Sequence, residues 1–328
     1  MDIDFHFGTI YVLARWAGFN NENARIIATS SQFVDDNISE EISTLPTAKK
    51  FNKAGILIRY SGHKLWENIL NDEGNEQVWI PYHFLPGLQG TTEEEKLVCK
   101  KNSLLAKSLA TKLSQITMDD HNYAFKLGIG LHVYADTWAH QEFSGIVTVK
   151  NMVVGLAYKQ FGEGIVNDFL EVATSVGFDM SAPLGHAAAI HWPDRPYAEW
   201  RSDTKFENGR YNWEEFLEAS CAIYNILANV NGSNLAKELT EEQKGILEDT
   251  FRGIYIENEN MRNEEWINKI KENYFDFADF CDEETNLKYN KNIILSDEDF
   301  FGQFYDSLNE YYEWVKGELE KAGINRLQ

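Results

Sequence analysis

The sequence predicts an all-α protein, a multi-helix bundle with loop insertions formed as one helical domain over residues 1–328. Three observations carry that reading. Apolar residues recur at helical spacing through most of the chain. Capping residues stand where several of those runs begin. Proline-punctuated stretches at 78–87 and 183–200 separate the runs.

Taken in order, FGTIYVLARWAG at 7–18 reads as the first helix, with Ile10, Leu13, Ala14 and Ala17 on one face and Gly18 as its stop. Asn20 or Asn21 caps a second helix that runs towards SSQFVDDN and delivers Asp35 and Asp36 beside the first. ILIRY at 56–60 reads as a short strand. VWIPYHFLPG is extended or looped, because Pro81 and Pro86 interrupt a helix. Residues 91–116 form one helix with Leu97, Leu104, Leu105, Leu109 and Leu113 on its apolar face. The next helix runs from Asp119 or Asp120 to Phe143. Residues 151–176 read as helical, and 183–200 as a loop around a short helical piece. The C-terminal portion, 201–328, adds helices at 212–230, 239–251, 262–280 and 296–322. Thr240 and Gln243 make a capping box there, and Asp297 caps the last helix. No sheet larger than three strands is expected.

Hydrophobic residues make up 43% and aromatic residues 13% of the chain, enough for a large core. The 52 acidic residues exceed the 30 basic ones, for a formal net charge of -22. That charge opposes a grip on the backbone of duplex nucleic acid. Bound cations can still reverse the local field. Cys99, Cys221 and Cys281 are far apart and read as ordinary thiols. Asp2 and Asp4 stand where a leader peptide would be basic. No apolar stretch is long enough for a membrane span. A cytoplasmic location is therefore expected, or an exported one if a leader is missing from this chain.

The chemistry concentrates in LHVYADTWAH, residues 131–140, where His132, Asp136 and His140 recur every four residues. At about 100° per residue these three share a sector of about 80° on one helix face. Imidazole and carboxylate are standard ligands of zinc. Phe125, Ile129, Val133, Trp138 and Phe143 imply that this helix is buried. Two histidines and an aspartate there need either a metal or a complete hydrogen-bond network. Further candidates come from other segments: His6, the Asp35–Asp36 pair, His83, His186, and His191 with Asp194 in HWPDRPY.

These motifs carry a resemblance. FHFGTIYVLARWAGF, SSQFVDDN, YHFLPG, the LHVYADTWAH helix and PLGHAAAIHWPDRPYAEW resemble an uncharacterised bacterial family over residues 4–200. More distantly, the chain resembles the zinc-dependent phospholipase C and single-strand-specific nuclease superfamily of helical proteins with clustered zinc. That likeness implies a bundle of the phospholipase C and nuclease type. It also implies His6, Asp36, His132, Asp136, His140 and His186 as ligands, with Asp35 beside them and His83 as another ligand or a contact to the scissile group. The divalent metal, zinc by this likeness, would number one to three ions.

The expected function is metal-dependent hydrolysis of a phosphate ester on a small-molecule substrate. Asp36 or Asp136 would orient or deprotonate a water, and Arg195 would contact a phosphate oxygen. Two other readings fit the composition. One is a non-enzymatic helical protein with a structural metal site, and the other is an acidic interaction module.

Overall fold

The centre of the molecule is the Tyr123–Ala139 helix, and its burial explains the rest of the architecture. From Ala124 to Ala139 every residue except Lys126 is buried. A helix apolar all round must be enclosed by other elements. The computed structural model describes residues 1–62, 76–159, 183–232 and 236–328, together with the backbone of 169–171. Its longer helices are α1 (Ile10–Trp16), α2 (Asn21–Asp36), α3 (Leu104–Ser114), α4 (Tyr123–Ala139), α5 (Asn212–Val230), α6 (Glu241–Gly253), α7 (Glu259–Lys271) and α8 (Glu298–Lys321). The all-α reading holds as an all-α multi-helix bundle with minor β content.

Helix α4 packs against α2, α3, α5 and α8. The main core joins Phe5, Phe7 and Leu131 to Phe216, Phe304 and Leu319, so both ends of the chain share it. Among the described residues no helix is long and apolar enough to cross a membrane.

Local chemistry sets the helix starts. The Asn20 side chain accepts from the Asn23 N–H, and Asp297 accepts from Asp299 and Phe300. Thr240 and Gln243 form the expected capping box. Helix α5 occupies 212–230 as its periodicity predicts.

Several expectations need correction. The 91–116 run is two helices, Glu93–Lys96 and α3, because Val98 and Cys99 leave the helix to bridge Ser144 and Pro86. Residues 56–60 are not a strand; Asn37 takes the Arg59 carbonyl with its side-chain amide instead. The 151–176 stretch is not a helix where it is described. Gly155 adopts a positive φ of 62°, and Ala157–Lys159 (β1) pairs with Phe169–Glu171 (β2). The remainder of that stretch lies outside the described residues. With Glu199–Arg201 (β3) and Arg210–Tyr211 (β4), the antiparallel sheet has the order β2-β1-β3-β4, one strand more than expected.

The α2–α4 crossing is close because Gly128 has no side chain. A Cβ there would lie 2.4 Å from the Ile27 carbonyl oxygen and 2.6 Å from Ser30 Cβ. One turn further along each helix stand Asp35 and His132. Gly130 is different, since its Cβ would meet only the flexible end of Leu113. Gly128→Ala should therefore destabilise the protein by about 1–3 kcal/mol through overpacking, and Gly130→Ala by clearly less. Urea midpoints for the two variants check this; an equal or larger loss for Gly130→Ala would contradict it.

Candidate metal centre

Five segments deliver the polar groups of the site. Helix α4 supplies His132 and Asp136, and His140 is its C-cap residue. Asp35 ends α2. His6 and His83 ride on π-helical turns, Asp4–Thr9 and Trp79–His83. Such wide turns are rare and concentrate at functional sites. At Trp79–His83 the reason is local: Pro81 has no N–H for an α ladder, and Phe84 N–H closes on the Trp79 carbonyl at 2.8 Å. His186 and Asp194 come from the loop after residue 182.

Two buried arginines hold these segments in place. Arg262 on α7 donates to Asp4 at 3.1 Å and to Asp2, clamping the turn that carries His6. Arg210 donates to the Trp138 and Ala139 carbonyls at 2.7 and 2.8 Å, capping α4 beside His140.

Around Asp136 Oδ2 the ring nitrogens form a triangle. His83 Nδ1 and His132 Nε2 lie 3.5 Å from that oxygen and 3.4 Å from each other. Asp35 Oδ1 is 3.7 Å from both nitrogens. These separations are long for hydrogen bonds. They are close to the edge of a tetrahedral zinc site, about 3.3–3.4 Å for bonds of about 2.0–2.1 Å. Asp136 Oδ2 is buried and has no hydrogen-bond partner among the described residues.

His140, His186 and Asp194 form a second group. His140 Nε2 is 3.0 Å from Asp194 Oδ1, and His186 Nε2 is 3.2 Å from Asp194 Oδ2. The other oxygen of Asp136, Oδ1, faces His6 Nε2 at 3.2 Å and the Met1 nitrogen at 2.6 Å. His6, Asp35 and His132 also make a group of their own, with the His6 and His132 rings stacked at 3.9 Å.

Backbone carbonyls fix the tautomers of three histidines. His83 Nε2 donates to the Ser61 carbonyl at 2.8 Å, His140 Nδ1 to the His83 carbonyl at 2.6 Å, and His186 Nδ1 to the Ile190 carbonyl at 2.8 Å. A neutral ring that donates outward presents a lone pair inward. In that neutral form each inward lone pair faces carboxylate oxygens, acceptor against acceptor, and either a cation between them or a second proton on the ring satisfies both. Ile190 reaches its position at a φ of +57°, which is strained for a β-branched residue.

The charge states suit such an ion. Burial pushes the His6 and His186 rings down to about 4, so both are neutral at pH 7. Burial and the facing His6 ring push His132 well down too. For Asp136, burial opposes ionisation, but His140, the Met1 amine, His132 and His6 outweigh it and hold the carboxyl well below its ordinary range. Asp194 is held low in the same way, against burial, chiefly by His186. Asp35 moves the other way, raised by burial and by the neighbouring Asp136.

Of the residues singled out in the sequence, His6, Asp35, His83, His132, Asp136, His140 and His186 are brought together. Asp36 is not: its carboxylate accepts from the Tyr289 hydroxyl at 2.5 Å. Arg195 lies with its guanidinium 4.8 Å from the centroid of the Trp192 ring, 4.0 Å from Glu257. His191 is exposed. Asp194, named among the further candidates but outside the ligand set that the resemblance implied, is the hub of the second group.

Residues 1–321 match the model of a family described as a family of unknown function, DUF6765. Comparison with curated proteins and with solved structures finds no match.

In chelated protein, the unfolded chain protonates its histidines near 6.5, whereas folded His6 and His186 stay neutral to about 4. Between those values the unfolded state binds more protons, so stability falls as pH drops from 6.5 towards 4. Each histidine contributes up to about 1.4 kcal/mol per pH unit. Urea midpoints at pH 7 and 5 should show a shallower loss for His186→Asn than for the unaltered protein. An unchanged slope would contradict the assignment.

Proposed function

The chain belongs to the DUF6765 family, and from the geometry of its site we propose that it is a metal-dependent hydrolase of phosphate esters, using zinc or a similar divalent ion. The observation that carries this reading is the set of three histidines locked by backbone carbonyls with their inner lone pairs aimed at carboxylate oxygens. His83, His132 and Asp136 would hold one ion, with Asp35 beside it, and His140, His186 and Asp194 another. His6, which faces Asp136 Oδ1 beside the Met1 amine, would offer a place for a third. Bound ions would lower the pKa of a water and stabilise charge on phosphoryl oxygens.

The protein's own groups divide the remaining work. Asp136 is the shared carboxylate: its two oxygens face different sets of partners. Asp35 lies at the solvent side, with 31% of its side chain exposed. In this proposal it takes the role of orienting the attacking water. In this proposal Arg195, carried by the loop of Asp194 and Trp192, would contact an incoming phosphate oxygen. The distant likeness to the zinc-dependent phospholipase C and nuclease superfamily points to the same chemistry.

A structural metal site is the second reading, favoured by the near-complete burial of His6, His132 and Asp136. Exposure at Asp35 and at His186, 16% for the latter, argues for an open position instead.

Purified protein should contain zinc or a related ion, and His132→Ala or His140→Ala should each remove most of one equivalent. Elemental analysis showing unchanged stoichiometry in both would end the metal assignment. On a panel of phosphate monoesters and diesters, Asp136→Ala should lower turnover at least on the order of 100-fold. Equal rates for unaltered protein and variant on every substrate would leave the structural-metal reading in front.

A further inference from the structure

Helix α7 presents a polar face that the protein itself does not use. Asn260, Asn263, Asn268 and Lys271 follow at helical spacing along one side of it. Together with Ile3, Ile267, Lys288 and Tyr289 they line a cleft of about 270 Å³. Among the described residues, none of these four side chains, nor that of Lys288, takes part in a hydrogen bond or ion pair. Asn263 is the telling one. Only 7% of it is exposed, and its Oδ1 is buried with no partner. An orphaned buried amide oxygen costs about 1–3 kcal/mol, so a side chain of this kind lining a cleft points to a ligand that supplies the missing donor.

The cleft adjoins the metal centre at two places. Ile3 directly precedes the turn that carries His6. Tyr289 donates to Asp36, the neighbour of Asp35. Glu259, at the start of α7, lies close enough to Asp35, Asp4 and Asp194 to act on their charge. The Asn260 end of the amide face, next to Glu259, is therefore the end nearer the centre. From Asn260 to Lys271 the face covers about 16 Å at a rise of about 1.5 Å per residue.

We propose that this cleft holds the part of the substrate remote from the scissile ester, and that the substrate is a phosphate ester of a hydroxyl-rich alcohol, a sugar or polyol, with a second anionic group. The inference rests on the hydrolase reading above and names its substrate class. Amide side chains both donate and accept, which matches hydroxyl groups. Glu264, on the same wall, adds an acceptor. Lys271 stands at the far end and Lys288 also lines the cleft, two cations with no ion-pair partner among the described residues, in a chain of net charge -22 that would otherwise repel an anion.

The test compares fructose 1,6-bisphosphate with phenyl phosphate on the metal-loaded protein. Lys271→Gln with Lys288→Gln should raise KM for fructose 1,6-bisphosphate about tenfold and leave its kcat unchanged. Both constants for phenyl phosphate should stay the same. A control pair, Lys49→Gln with Lys53→Gln, removes equal charge elsewhere and should change nothing. Equal KM for the bisphosphate in both double variants would overturn the proposal. Calorimetric titration with fructose 1,6-bisphosphate keeps the two readings separable. If no phosphate ester is turned over, weaker binding by the cleft variant than by the control still supports the cleft. Absent binding, or equal affinity in both, ends it.

Discussion

The carboxylate of Asp136 is the group on which the rest of the structure depends. It is ionised, 1% exposed, and fixed in the middle of the most enclosed helix. Removing such a charge from water costs several kcal/mol unless partners restore what hydration supplied. The surroundings restore it only in part. Oδ1 receives the Met1 nitrogen and His6, while Oδ2 faces three imidazole nitrogens at 3.5 Å, too far for hydrogen bonds. A divalent ion between His83 Nδ1 and His132 Nε2 would complete the compensation, and the His83 tautomer that donates to the Ser61 carbonyl is the form that would bind it.

The scaffold spends its unusual features on that arrangement. Gly128 lets α2 approach α4 until Asp35 comes within 3.7 Å of His132. The two π-helical turns carry His6 and His83 into the site. Arg262 and Arg210 anchor the two ends of the constellation from outside, one through Asp4 and the other through the last carbonyls of α4. The sheet and the loop of His186 and Asp194 then bring the second group against His140.

The sequence displayed the parts of this design that follow from local periodicity. His132, Asp136 and His140 at four-residue spacing placed three groups on one face, and Asn20, Thr240 and Asp297 marked helix starts that the structure shares. What was not legible depends on contacts distant in the chain. Asp35 and Asp36 are adjacent, and only the crossing angle of α2 decides that Asp35 turns inward while Asp36 meets Tyr289. Asp194 had no periodic partner, because a loop and not a helix positions it. The π turns depart from α periodicity by one residue, a difference that the apolar pattern of 7–18 and the prolines of 78–87 did not reveal. Strand β1 was hidden in a run that reads as helical until Gly155 is seen at positive φ.

Anomalous X-ray diffraction from zinc-soaked crystals would show whether ions occupy these two groups. Strong peaks are expected inside the triangle of His83 Nδ1, His132 Nε2 and Asp136 Oδ2, and between His140 Nε2, His186 Nε2 and Asp194. A folded protein with no anomalous density at either place, its histidines turned to direct hydrogen bonds with Asp136 and Asp194, would contradict the metal assignment.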